Sequence, residues 1–318
     1  MDSLAQNIAL GLILVLFPVI LYNYKNIRNN KKQIILWGIL SFMISILYFK
    51  LAKIQVHYIE LLITVILSSI INYFIINGGI DLKKLSKSGL VLFLFFFISL
   101  VQLIPIEIFN LDINNLSDQE SIYLTTFSDI VLLIILGIIY FKTIKDDFLV
   151  AVKSFYKQID IGVKYWLLGL IVMVVSNLII GLFIPQAQAT NEEGVQSLIT
   201  AAPLLSILTV GILAPIIEEL TFRKAFRDVF KNKTLFILVS GLVFGSLHVV
   251  TLLNSYWDLF YIIPYSSLGI AFGYIYTKTD NIYTSIFMHV FHNTALTIIS
   301  VIGAMMIIWW VVLKKEKN

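Results

Sequence analysis

The sequence predicts an all-α membrane protein: a polytopic transmembrane helical bundle of about ten spans, with its chemistry-bearing residues in the C-terminal half. Three observations predict it. Hydrophobic residues make up 59% of the chain and charged residues only 13%, where a soluble domain would be roughly one quarter charged. Mean hydropathy is +0.92. The apolar residues also fall in runs of about twenty, the length a helix needs to cross a bilayer, separated by short charged or turn-forming segments.

The 318 residues leave almost nothing for a domain outside the membrane. The chain has no cysteine, which excludes disulfides, thiolate metal ligands and a cysteine nucleophile together. Any chemistry therefore rests on oxygen and imidazole groups. The net charge of +4 resides in loops and does not imply nucleic acid. The first apolar run has no basic segment before it and no small-residue cleavage site after it, so it reads as a retained span.

Taken in order, the apolar runs place spans near 5–24, 34–50, 57–77, 89–109, 127–141, 164–184, 200–222, 234–253, 259–277 and 282–312. The loops between them alternate in charge. Lys25, Arg28, Lys31 and Lys32, then Lys83, Lys84 and Lys87, then the Lys-rich stretch 142–164, then 223–233 fall on one side. The positive-inside rule makes that side cytoplasmic. The opposing loops carry Asp112, Asp118 and Glu120, then Glu192 and Glu193, so the N-terminus is expected outside. The basic tail with Lys314, Lys315 and Lys317 conflicts with ten crossings, which implies either a bend back at Gly303 or one span that does not cross. Residues 145–163 interleave Phe148, Val152, Phe155 and Tyr156 with Lys145, Lys153 and Lys157, the composition of a helix lying on the membrane face. The chain divides near residue 163 into an N-terminal transmembrane region (1–163) without an assigned function, a core (164–312) and a basic tail (313–318).

An ionisable group at membrane depth is costly and marks a functional site by default. Glu60 and Glu107 lie near span ends and read as interfacial. Glu218 and Glu219 close the apolar run that contains Pro215. Glu219 and Arg223 are four apart and share a helical face, whereas Glu218 is rotated by about 100° and has no basic partner at that spacing. Pro215 lacks an N–H, so it should kink the helix and free a carbonyl that a polar neighbour could satisfy. The competing reading makes this segment a helix end running into a charged loop. His248 stands as the one ionisable residue of its run, with Phe244 one turn before it; His289 and Asn293 are four apart, with His292 some 60° off their face. Each of these could be a satisfied core residue, but three runs together offer a carboxylate, two imidazoles and a carboxamide. Straight helices would leave Glu218 and His248 at different depths, so the span ends near 222 and 234 conflict with a shared site.

Glu218-Glu219-x-x-x-Arg223, Phe244-x-x-x-His248 and His289-x-x-x-Asn293, in this order on three closely spaced apolar segments, resemble the three signature motifs of the CPBP family. That family includes CAAX-type intramembrane endopeptidases and bacterial Abi relatives linked to bacteriocin self-immunity and peptide-pheromone maturation. The resemblance covers roughly residues 164–300. It implies an intramembrane endopeptidase in the bacterial plasma membrane, acting on a membrane-associated peptide or protein. It further implies that Glu218 activates a water, His248 positions it, His289 and Asn293 stabilise the oxyanion, and the Glu219–Arg223 pair holds the helix. Two histidines and a glutamate are also ligand types for zinc, so Glu218, His248 and His289 form a candidate metal set, although the His-x-x-x-His pairing of helical zinc peptidases is absent. A water activated by glutamate without metal is preferred. Two other classes remain: a non-catalytic adaptor or immunity protein of the same fold that binds a membrane sensor protein, and a proton-coupled transporter, against which the lack of an internal repeat counts.

Overall fold

The computed structural model of the protein describes residues 81–316 apart from Gln188 and 251–253. The expected spans near 5–24, 34–50 and 57–77, with Glu60, lie outside the described residues. The chain forms two compact units, Met1–Ser86 with Asp228–Asn232 and Lys87–Arg227 with Lys233–Asn318. In the first, the Asp81 amide donates to the Val229 carbonyl at 2.6 Å. The second holds every candidate site residue.

Among the described residues all regular elements are helices: α1 (Leu82–Phe97), α2 (Leu103–Ile108), α3 (Asp118–Ile139), α4 (Phe141–Lys153), α5 (Phe155–Phe183), α6 (Thr190–Ala201), α7 (Pro203–Val229), α8 (Lys233–Val250), α9 (Ile262–Thr279) and α10 (Ile282–Glu316). Among the described residues seven segments are long and apolar enough to cross a membrane, and each matches one of the seven runs expected from residue 89 onward. The protein is an integral, multi-pass helical bundle.

Several boundaries move for local physical reasons. α3 starts at Asp118 rather than near 127, because a reciprocal cap closes its first turn: Ser117 Oγ accepts from the Glu120 amide at 3.2 Å and Glu120 Oε2 accepts from the Ser117 amide at 2.8 Å. The surface helix expected over 145–163 is α4, which ends at Lys153; α5 begins at Phe155 and carries its apolar run unbroken to Phe183. α4 keeps the expected character, with Phe148, Leu149 and Val152 exposed beside exposed Lys142, Lys145 and Lys153. It is fastened to the start of α10: the Ile282 amide donates to Asp147 Oδ2 at 3.0 Å, and Asn281 Nδ2 to the Asp147 carbonyl at 2.7 Å.

α10 runs 35 residues through Gly303 without a bend, so the proposed turn back at that glycine is not formed. At 1.5 Å per residue it extends about 52 Å, well past a hydrocarbon core of about 30 Å. α8 and α9 pack backbone to backbone. A Cβ on Gly241 would lie 2.7 Å from the Ile270 nitrogen, and one on Gly245 would lie 2.5 Å from the Ser266 nitrogen. Only glycine permits that approach, which is how small residues drive helix association in a bilayer.

The depth conflict is resolved by α7, which continues to Val229 instead of ending near 222. Glu218 thus lies eleven residues, about 16 Å, from that end, and His248 fifteen residues, about 22 Å, from the start of α8. The two are linked indirectly, through His289 and the Phe244 ring that meets both imidazoles.

Candidate active site

The site is built on a broken helix. α7 contains two π-helical segments, Ile207–Leu213 and Glu219–Ala225, with only Ala214–Glu218 regular between them. π segments are rare and concentrate where a helix is adapted to a task. Pro215 explains part of the irregularity. It offers no N–H to the carbonyls four and five residues back, Gly211 and Val210. Both receive side-chain donors from α10: Asn293 Nδ2 at 3.2 Å from the Val210 oxygen and Thr294 Oγ1 at 2.9 Å from the Gly211 oxygen. Gly211 allows this contact, since a Cβ there would lie 3.0 Å from Thr294 Oγ1. The carbonyl that the proline was expected to free is satisfied by the neighbouring helix.

Three and four residues after Pro215 the carboxylates appear. Glu219 and Arg223 are both completely buried and paired at 3.4 Å, which overturns the reading of a helix end in solvent. Arg223 Nη1 also donates to Ser240 Oγ of α8 at 2.8 Å, and its guanidinium lies 4.9 Å from the centre of the Phe244 ring. The Ser240 hydroxyl and the Phe244 face support the pair, while Glu219 Oε2 and Arg223 Nε and Nη2 are buried without a hydrogen-bond partner among the described residues, so the pair holds mainly by charge and is costly to break.

His289 of α10 stands between the two glutamates. Its Nδ1 lies 3.0 Å from Glu219 Oε1 and its Nε2 lies 3.6 Å from Glu218 Oε2. A carboxylate can only accept, so the Nδ1 proton faces Glu219 and Nε2 faces Glu218. Glu218 Oε2 is buried and has no hydrogen-bond partner among the described residues. Nε2 and Oε2 are then two acceptors turned toward each other unless a proton sits on one of them, an arrangement suited to moving a proton. Phe272 stacks on the imidazole at 4.5 Å and Phe244 meets it edge-on at 5.6 Å, which fixes the ring plane.

The structure therefore joins Glu218, Glu219, Arg223 and His289 directly. His248 enters through Phe244, whose ring lies 4.5 Å from it, and its Nδ1 donates to the Phe244 carbonyl at 2.9 Å. Among the described residues no ion pair or hydrogen bond joins His248 to Glu218. Asn293 is bonded to the α7 backbone, one turn beyond His289. His292 faces elsewhere: it is buried and accepts from Trp166 Nε1 of α5 at 3.4 Å. Among the described residues no three His, Asp or Glu side chains are grouped closely enough to hold a metal ion. Glu107 is exposed near the end of α2, as an interfacial group would be.

Two participants were missed in the sequence. Thr294 carries no ionisable signal and could only be found through the carbonyl it serves. Asp129 lay inside the span expected at 127–141 and should have been found by the rule that singled out His248. It is half-buried on α3 and within electrostatic reach of Glu218.

Comparison with known proteins bears on the same segment. Residues 200–295 match the family described as "Type II CAAX prenyl endopeptidase Rce1-like". The chain is 32% identical over 114 residues to "Putative membrane peptidase YdiL" of Bacillus subtilis (strain 168), covering 35% of this chain and 43% of that protein. It is 26% identical over 143 residues to "UPF0177 protein YxdF" of Lactococcus lactis subsp. lactis (strain IL1403), covering 43% of this chain and 77% of that one. The match thus spans less than half of the Bacillus relative. No solved structure matches. The resemblance drawn from the three motifs is upheld over residues 200–295, which contain all seven named motif positions.

Proposed function

With residues 200–295 matching the Rce1-like CAAX endopeptidases, we propose that the chain is an intramembrane endopeptidase that hydrolyses a peptide bond of a membrane-associated peptide or protein. The observation that carries this reading is the buried, unbonded Oε2 of Glu218 set 3.6 Å from His289 Nε2. Peptide hydrolysis needs a base for the attacking water and donors for the oxyanion. Glu218 takes a proton from water as the water oxygen bonds to the scissile carbonyl carbon. His289, carrying a proton on Nε2, donates to the resulting oxyanion. The C–N bond then breaks and Glu218 returns its proton to the leaving amine. Glu219 and Arg223 hold the His289 ring from its Nδ1 side. Asn293 supports the same face by fixing the opened backbone of α7, with its second amide hydrogen left for the oxyanion, and His248 positions the water. Self-immunity to a bacteriocin or maturation of a peptide pheromone, in the bacterial plasma membrane, are the settings this chemistry suits.

The test is quantitative peptide profiling of membranes from cells carrying the wild type or Glu218→Gln. This change keeps the side chain's shape and removes the proton acceptor. A peptide produced by the wild type and absent in the variant is expected, with equal amounts of both proteins in the membrane. Identical profiles, with any immunity phenotype preserved, would leave a non-catalytic adaptor that binds a membrane sensor. Stoichiometric zinc in the purified protein would replace the direct carboxylate mechanism with a metal-assisted one.

A further inference from the structure

His248 is held by Phe244 and by Tyr265, and the second of these lies outside every motif. Its Nδ1 donates to the Phe244 carbonyl; a carbonyl only accepts, so the neutral ring carries its proton on Nδ1 and keeps Nε2 as its one acceptor. The Tyr265 ring of α9 stacks on the imidazole at 5.1 Å with 25° between planes. The Tyr265 hydroxyl in turn donates to Glu192 Oε1 of α6 at 2.8 Å, across 73 residues of sequence. The stack depends on the close approach of α8 and α9 at Gly245, whose place against the Ser266 backbone puts the neighbouring Tyr265 beside His248. Tyr265 is partly buried and Glu192 exposed, so the tether runs from a partly buried ring on α9 to an exposed carboxylate on α6.

We infer that Tyr265, anchored by Glu192, is the positioning residue that holds the His248 imidazole in a single plane and tautomer. The role of His248 in turnover rests on the reading above; the positioning itself does not. Phe244 alone is a weak constraint, because a carbonyl bond to Nδ1 leaves the ring free to swing about it. A flat aromatic face on the other side removes that freedom. The hydroxyl bond keeps the face from rotating away, and it makes α6 part of the site's support.

The experiment uses the full chain in lipid nanodiscs with 15N-labelled histidine. The sequence has four histidines, so His248→Gln assigns the signal of interest. In the wild type a single Nδ1-protonated tautomer is expected for His248. Tyr265→Leu should give a mixture of tautomers at His248 with the His289 signal unmoved. On the peptide identified by membrane profiling, kcat should fall about 10- to 100-fold, the usual effect of a misplaced catalytic group, with KM little changed. Tyr265→Phe keeps the stack and deletes the hydroxyl bond, and Glu192→Ala deletes the same bond from the exposed side. The two should show equal, smaller effects, and the double variant should be no worse than either. An unchanged His248 spectrum in Tyr265→Leu overturns the inference, and so does a change in His248 and His289 together, which would mark a merely structural role. Additive Tyr265→Phe and Glu192→Ala effects would remove the tether. If Glu218→Gln alters no peptide while Tyr265→Leu still frees His248, the peptidase reading fails and the positioning stands.

Discussion

α5 and α7 cross the same bilayer and solve opposite problems. α5 is one regular helix of 29 residues with 11% of its apolar stretch buried; Leu168, Ile171, Val175, Leu178 and Leu182 face outward. α7 is broken by two π segments and a proline, and 50% of its stretch is buried. In lipid a regular helix satisfies its own backbone and needs nothing from its neighbours. An opened backbone persists only where another element supplies the missing donors, and α10 does so with Asn293 and Thr294. Of the two helices, the one with such support carries the buried ionisable groups, Glu219 and Arg223, whereas Lys157, Asp160 and Lys164 of α5 are exposed. The difference teaches that buried charge and broken backbone share one cause: both require polar partners that lipid cannot offer.

The largest separation between the two helices should come from charge. Arg223→Ala strands Glu219 in the bundle, and breaking a buried pair costs about 3–5 kcal/mol. Folded yield and thermal unfolding temperature in detergent should both drop sharply. Leu178→Ala on the lipid face of α5 should stay within about 0.5 kcal/mol, as a surface change does. Equal unfolding temperatures for the two variants would mean that the pair contributes nothing to the bundle.

Next comes the histidine on each side of α10. His289 meets the α7 carboxylates and His292 meets Trp166 of α5. His289→Ala should lower turnover of the identified peptide about 100- to 1000-fold, the loss typical of one oxyanion donor. His292→Ala should change turnover little. The reverse order would show that the face of α10 toward α5 carries the chemistry.

Regularising α7 is a subtler intervention. Pro215→Ala restores an N–H that can compete for the Val210 and Gly211 carbonyls, and alanine is favoured over proline inside a helix by about 3 kcal/mol. The variant should unfold at the same or a higher temperature and turn over about tenfold more slowly, because Glu218 shifts with the straightened backbone. Full activity in a more stable variant would mean that the break serves packing alone.

Much of this contrast was legible in the sequence. Run length and charge placed all seven described spans, and the spacing of Glu219 and Arg223 identified their pair before any contact was seen. Pro215 signalled a freed carbonyl. The sequence could not show which residues answer it, because Thr294 looks like any threonine in an apolar run and becomes informative only when Gly211 brings α10 into contact. The ends of α5 and α7 were misplaced because charge marks where lipid ends, whereas capping and tertiary contacts decide where a helix ends. Asp129 was legible and overlooked: it lies inside the run expected at 127–141, and the helix that carries it starts eleven residues earlier, at Asp118.

The smallest expected effect is also the most direct comparison of the two backbones. Thr294→Val deletes a hydroxyl that donates to the Gly211 carbonyl of another helix, next to the proline that cannot serve it. Ser176→Ala deletes a hydroxyl that donates at 2.7 Å to Val172 within α5, whose backbone is already regular. Interhelical side-chain bonds in bilayers average about 0.6 kcal/mol and reach about 1.7, so Thr294→Val should cost an amount in that range, read as a lower unfolding temperature in detergent. Ser176→Ala should cost nothing measurable, since the Val172 carbonyl keeps its helical partner. The valine retains the threonine's shape, so lost packing does not confuse the result. If both changes cost the same, the carbonyls of α7 are no more dependent on outside donors than those of α5, and the proposed link between opened backbone and neighbouring side chains fails.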